Sequence, residues 1–235
     1  MDDSVEIDWV GLDPRLVAVL EDAGRLQELV PDAVLVGGSA AALRAGHRAS
    51  YDHDHVLADL GDRFEMVLEA LEREGEWVTN RVRPGVLILG ELGGIEAGVR
   101  QLMRMRPLET ERIRLPSGRS VTVPTADETL RIKAFLIVKR NQVRDYLDVA
   151  ALSDRYGTSH AAAVLADLDA YYADQQRGDD AVAAQLVRQL SDPQPRDSRV
   201  IAQLSRYKGL SERWQRWDTV VDVCRDLAIL IVEGA

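Results

Sequence analysis

"VGGSAAALRAGHRASYDHDHVLADL", residues 36–60, is the stretch from which the rest of the chain is best read. The apolar run Ala33–Val36 enters Gly37-Gly38, the pattern of a buried strand running into a turn. Ser39–Ala45 has the composition of a short helix closed by Gly46. Residues 50–59 then alternate as a strand. Side chains two apart on a strand share a face, so Asp52 and Asp54 present two carboxylates side by side, with His53 and His55 on the opposite face. Like charges this close are costly until something neutralises them. A divalent cation is the usual neutraliser, and all-oxygen ligation suits Mg²⁺ or Mn²⁺. Just upstream, a helix opening at Gly38-Ser39 offers free N–H groups and a favourable dipole to a phosphate, and glycine lets that phosphate approach the backbone. Each half has an ordinary reading alone, a solvated Asp-x-Asp face and a plain glycine turn. At this spacing they have together what a nucleoside triphosphate and its metals need.

Outward from this stretch the chain divides by pattern. Asp13-Pro14 reads as an N-cap and first-turn proline opening a helix to about Val30, which Pro31 ends. Residues 61–74 have helical periodicity, with Phe64, Val67, Leu68 and Leu71 on one face. From 76 to 123 the segments are short, β-rich and separated by Gly or Pro, with "LPSGRS" as a hairpin turn. Thr125 with Glu128 forms a capping-box pattern and opens a helix through about Arg140; a second runs from about Val143 to Tyr156 and stops at Gly157. Residues 158–235 read as three or four helical segments broken at Gly178, "SDPQPRD" and Gly209. The expected organisation is an α/β domain over 1–124 and a helical domain over 125–235 that completes the active-site cleft.

The 235 residues carry a formal net charge of −10, which argues against a protein that coats nucleic acid along its whole surface. The charge is uneven: residues 100–144 hold eleven Lys or Arg against four acids, a pull on polyanionic ligands wherever that stretch is exposed. No apolar run approaches the roughly 18–20 residues of a membrane span. The acidic start lacks the basic flank of a signal peptide, and the lone Cys224 fits a reducing compartment and a buried helical position. A cytoplasmic protein with no membrane partner is expected.

"GGSAAALRAGHRASYDHD" resembles the signature of polymerase-beta-type nucleotidyltransferases, and within them the AbiEii group, toxins of bacterial toxin–antitoxin and phage-defence systems. A second match lies downstream: "TADETLRIKAFLIVKRNQVRDYLDVAAL" is similar to that group's helical block, in which a lysine precedes "RDxxD", here Lys133, Arg144, Asp145 and Asp148. The resemblance implies an α+β fold, a mixed sheet with flanking helices followed by a C-terminal helical bundle. It implies that Asp52 and Asp54 bind Mg²⁺ or Mn²⁺, that Gly37, Gly38 and Ser39 hold triphosphate oxygens and that Ser50 contacts a phosphate. Lys133 would neutralise the triphosphate, Asp148 would orient that lysine or the nucleotide, and Arg144 would join the nucleotide-binding set. Many such enzymes use a third carboxylate as base for the attacking hydroxyl; Glu96 in "GGIEAGV" is the candidate.

The implied reaction moves a nucleoside monophosphate from an NTP to an acceptor hydroxyl with release of pyrophosphate. The acceptor would be an RNA or tRNA 3′ end or a protein, and an antitoxin would be the cognate partner. Two rivals stay open: a nucleotide-binding regulatory module with weak or no transfer, and a small-molecule nucleotidyltransferase of the aminoglycoside-modifying kind. The chain departs from the group at His53, where an apolar residue is usual. His53 and His55 are either packing residues or, on one strand face, ligands for Zn²⁺, although no Cys or His pair elsewhere completes a set. Glu96 has a plain reading as a surface glutamate on an edge strand. Arg144 and Asp148, four apart, would also pair on a helix face. Lys133 would also suit an exposed helix position, beside core candidates Ile132, Phe135, Leu136 and Val138.

Overall fold

The computed structural model describes residues 7, 9–176, 181–207 and 209–234. The chain falls into two compact units, Met1–Leu43 with Ala49–Thr125, and Arg44–Arg48 with Ala126–Ala235. Five residues of the opening motif, Arg44–Arg48, belong to the second unit, which no local pattern indicates.

In the first unit, α1 (Pro14–Leu29) starts where Asp13 accepts a hydrogen bond from the Arg15 N–H at 2.8 Å. Pro14 takes the first turn, where a missing N–H costs nothing. There follow β1 (Val34–Val36), α2 (Gly37–Ala45), β2 (Asp52–Leu57), α3 (Leu60–Glu72), β3 (Trp77–Arg83), β4 (Leu87–Leu92) and β5 (Ile95–Gln101). The five strands form one sheet in the order β1-β2-β5-β4-β3. β2 and β5 run parallel, and the other neighbours are antiparallel. The crossover from β2 to β5 runs through α3 and the β3–β4 hairpin, long enough for a parallel return. A second pair, β6 (Thr110–Arg114) and β7 (Ser120–Pro124), makes a separate hairpin ladder.

Two apolar clusters hold this unit. Leu57, Leu60, Phe64, Val67, Leu71, Ile88 and Val99 pack with Leu26 of α1, and Leu68 is only partly buried beside them. Leu16, Leu20 and Ala23 of α1 pack with Leu35, Ile113, Val121 and Val123. α1 therefore contributes to both clusters, one with sheet and α3, the other with the hairpin.

The second unit holds α4 (Ala126–Arg140), α5 (Val143–Tyr156), α6 (Thr158–Ala166), α7 (Leu168–Tyr172), α8 (Val182–Ser191) and α9 (Trp217–Glu233) around one apolar core. Cys224 is buried in it, and burial raises its thiol pKa, so it packs as an apolar residue. The region after Gly157 is more fragmented than expected. Short 3₁₀ stretches cover Ala173–Gln175, Ser198–Arg206 and Glu212–Gln215. The middle one buries only Leu204, too little tertiary support to impose regular α geometry. Gly178, an expected break, lies outside the described residues. Within α4, Phe135 is buried as expected, but Ile132, Leu136 and Val138 are half-buried while Leu130, Ala134 and Ile137 take the centre. α4 is enclosed on several sides, so a single apolar stripe does not pick out its core face. No helix among the described residues is long and apolar enough to cross a membrane.

Candidate active site

β2 carries the alternation that the sequence predicts. Asp52, Asp54 and Val56 are half-buried, whereas His53, His55 and Leu57 are buried on the other face. Ser39 is fully buried, and its hydroxyl donates to the Asp52 carbonyl at 2.5 Å. That bond pins the first turn of α2 to the start of β2. It commits the Ser39 proton to the backbone, so in this arrangement the groups of the turn left for an anion are main-chain N–H. Ser50, also fully buried, donates from its hydroxyl to Asp52 Oδ1 at 3.2 Å, a contact to the carboxylate where the resemblance implies a phosphate.

Gly37 has φ +76°, in the left-handed region that favours glycine, and a β-carbon there would lie 3.5 Å from Asp54 Oδ2. The glycine turn therefore sits directly against the second aspartate. Gly38 follows it in the first turn of α2.

The parallel register places Asp52 opposite Glu96 and Asp54 opposite Gly98. Paired residues share a sheet face, so Glu96 stands beside Asp52 on the face of the aspartates. It is exposed, on β5, which is interior to the sheet and not an edge strand. Glu91 of β4 lies opposite Glu96 in turn, completing an acidic row across three strands. Gly98 leaves room for the row behind: a β-carbon on it would lie 2.8 Å from Asp54 Oδ1. Arg100, two residues on and on the same face, donates from Nε to Asp54 Oδ1 at 3.2 Å.

Two half-buried carboxylates on one sheet face, an all-oxygen donor set, fit a hard divalent cation whose remaining ligands are phosphate oxygens and water. Among the described residues no three His, Cys, Asp or Glu side chains converge into a complete metal cage.

On the rear face the histidines behave as packing residues. His53 Nε2 bonds Asp22 Oδ2 of α1 at 2.8 Å, and its ring meets His55 edge-on at 5.2 Å between centroids. His55 is fully buried; burial, with His53 adding to it, pushes its pKa well below the ordinary imidazole value, against weaker support from the backbone of Ala23 and Gly98.

The downstream motif builds a buried network inside the second unit. Asp148 is fully buried; its Oδ1 accepts from His47 Nε2 and Arg48 Nε, both at 2.8 Å, and its Oδ2 from Arg48 Nη2 at 3.1 Å. Lys133 Nζ lies 2.7 Å from Asp148 Oδ2, and Lys133 is buried, not exposed. Burial would raise the Asp148 pKa, but Arg48, Lys133 and His47 together hold it well below the usual carboxylate range. Burial also lowers the pKa of Lys133 and of His47, with Asp148 opposing it in both. Arg144 is exposed and forms no ion pair with Asp148. Asp145, also buried, accepts from Arg140 Nε at 2.7 Å and Nη2 at 2.6 Å.

Three residues of these arrangements escape the sequence reading. His47 and Arg48 lay in plain view in the "GHR" of the motif, but their partner is about a hundred positions away. Arg100 had a weaker signal, a cation at same-face spacing from Glu96.

The five-stranded mixed sheet with its flanking helices has the fold of a solved nucleotidyltransferase. MenT4, a nucleotidyltransferase toxin of Mycobacterium tuberculosis H37Rv, matches 93% of this chain and 83% of its own with a TM-score of 0.59, at 19% identity. At that identity the likeness shows the fold.

In sequence, the chain is 31% identical over 245 aligned residues to the heme uptake protein MmpL11 of M. tuberculosis H37Rv, covering 92% of this chain and 23% of that protein. It is 38% identical over 132 residues to the mycolic acid-containing lipids exporter MmpL11 of Mycolicibacterium smegmatis, covering 56% of this chain and 13% of that one. The chain thus spans less than a quarter of the length of these curated relatives. No protein-family model matches the chain.

Proposed function

We propose that the chain is a metal-dependent nucleotidyltransferase of the AbiEii type. It transfers a nucleoside monophosphate from an NTP to an acceptor hydroxyl and acts as a toxin held in check by an antitoxin. The observation that carries this is the single sheet face on which Asp52 and Asp54 stand together, with Gly37 against Asp54 and Glu96 in register beside Asp52.

In this reading Asp52 and Asp54 hold Mg²⁺ or Mn²⁺, which supplies Lewis-acid neutralisation of the triphosphate when bound. Ser50 keeps the Asp52 carboxylate in place. The α2 amino end, at Gly37 to Ser39, receives phosphate oxygens on its N–H groups. Glu96 accepts the proton of the attacking hydroxyl, whose oxygen bonds the α-phosphorus as the bond to pyrophosphate breaks. Lys133 provides positive charge for the triphosphate, and its pairing with Asp148 supports the part of the reading in which Asp148 orients it. Arg144, exposed and beyond the Asp148 network, suits a nucleotide contact better than a structural pair. The MenT4 fold supports the toxin assignment, and an RNA 3′ end, tRNA included, is the acceptor we favour.

The test incubates purified protein with each labelled NTP, Mg²⁺ or Mn²⁺ and either total RNA or an aminoglycoside, then repeats it with Asp52→Ala. Label on RNA that disappears in the variant supports the reading; transfer only to a small hydroxyl compound points to the aminoglycoside-modifying kind. A second reading has its own observation, the 31% identity to a segment of a protein named for heme uptake. There the same site would bind nucleotide without transferring it, as a regulatory module of a longer chain. Nucleotide binding with no transfer under either metal would favour it.

A further inference from the structure

We infer that Arg100 is the built-in counter-ion of the metal site: it holds Asp54 in the metal-free protein and yields that carboxylate when a divalent cation binds. The inference rests on the reading of Asp52 and Asp54 as metal ligands.

Its ground is the charge on one sheet face. β2, β5 and β4 bring Asp52, Asp54, Glu96 and Glu91 onto that face within two rows of the ladder. Neighbouring strands lie about 4.8 Å apart, so these carboxylates repel one another unless compensated. Neutral donors do part of the work: Ser50 bonds Asp52 Oδ1, and Asn80 Nδ2 bonds Glu91 Oε1 at 3.3 Å. Arg100 is the cation bonded to Asp54, through Oδ1 at 3.2 Å. Gly98 allows this geometry, because any β-carbon there would crowd the same oxygen. Oδ2 is turned to the Gly37 side, where phosphate is expected.

A guanidinium at this distance and a divalent cation on the same carboxylate repel each other. At about 5 Å in high dielectric, before salt screening, a single and a double charge oppose binding by roughly tenfold in affinity. The Arg100 side chain is 44% exposed, so it has somewhere to go when the cation arrives. An ion pair on a carboxylate away from the metal ligands would have no such consequence for metal binding.

Mn²⁺ binding to the whole chain without nucleotide, followed by electron paramagnetic resonance and calorimetry, tests the inference. Arg100→Gln is expected to bind Mn²⁺ three- to tenfold more tightly than wild type, with the gap narrowing as salt is raised. Arg100→Lys, which keeps the charge, is expected to stay near wild type, and Asp54→Asn to lose at least tenfold. If Asp54→Asn loses Mn²⁺ while Arg100→Gln matches or falls below wild type, Arg100 is not a counter-ion and the metal-site reading survives. Arg100→Lys binding as tightly as Arg100→Gln would likewise overturn it. If neither wild type nor Arg100→Gln binds Mn²⁺, the metal-site reading fails and takes the inference with it.

Discussion

Gly98 and Asp54 meet across the parallel β2–β5 pair so closely that a β-carbon on the glycine would stand 2.8 Å from Asp54 Oδ1. The same β-carbon would stand 2.9 Å from Leu89 Cδ2, so the extra methyl crowds both side chains. Gly98→Ala should therefore push the Asp54 carboxylate off its position. We expect at least a tenfold loss of Mn²⁺ affinity and of transfer, with the fold retained. Calorimetry and far-UV circular dichroism on the variant check this; unchanged metal affinity would mean that Asp54 does not need that space.

Gly37→Ala addresses the other wall of the site. Alanine at φ +76° costs about 1–2 kcal/mol of stability, and its methyl would touch Asp54 Oδ2. A matching drop in the urea unfolding midpoint is expected, together with weaker triphosphate binding. Stability equal to wild type would show that the turn relaxes.

Asp148→Asn should be among the most destabilising single changes in the chain. It leaves Arg48 and Lys133 buried with one neutral acceptor between them, and breaking a buried ion pair on one side costs about 3–5 kcal/mol. Urea unfolding measures it. Lys133→Met should cost less, because Asp148 keeps Arg48 and His47, and should still abolish transfer under the proposed mechanism.

The buried histidines set a pH dependence whose sign follows from their pKa shifts. His55 and His47 both have folded pKa values below the ordinary value of about 6.5, His55 by the larger margin. In the unfolded chain they take up protons as pH falls through that value, while the folded chain does not. Stability is thus undiminished above about pH 7 and declines as pH falls below 6.5 toward the folded pKa values. Unfolding midpoints measured from pH 8 to pH 5 should fall, and His55→Leu should flatten the curve. A midpoint that rises toward pH 5 would contradict the assignment.

Replacing the rear histidines separates packing from ligation. His53→Gln should disturb the bond to Asp22 and cost about 1–3 kcal/mol, while leaving Mn²⁺ affinity as in wild type. A tenfold loss of metal binding in His53→Gln or His55→Gln would return these residues to the list of ligands.

How much was legible beforehand depended on the range of the interaction. The period-two alternation of residues 52–57 is a local property of extended backbone, so the two faces of β2 could be assigned from the letters. The same holds for the Asp13-Pro14 helix start, the glycine turn and the helices at 126–140 and 143–156, each written in a few consecutive residues. The placement of Glu96 beside Asp52 was not legible, since it depends on β5 crossing over to pair in parallel with β2 at one register out of several. Arg100 on Asp54 follows from that same register. The Asp148 network was legible only in part: the resemblance implied Lys133 with Asp148, but His47 and Arg48 stand about a hundred positions before their acceptor, and the burial of Lys133 depends on helix packing. Local sequence encodes backbone period, turns and caps. Which charges meet inside is a matter of long-range packing, where burial removes water and makes each pairing strong enough to select.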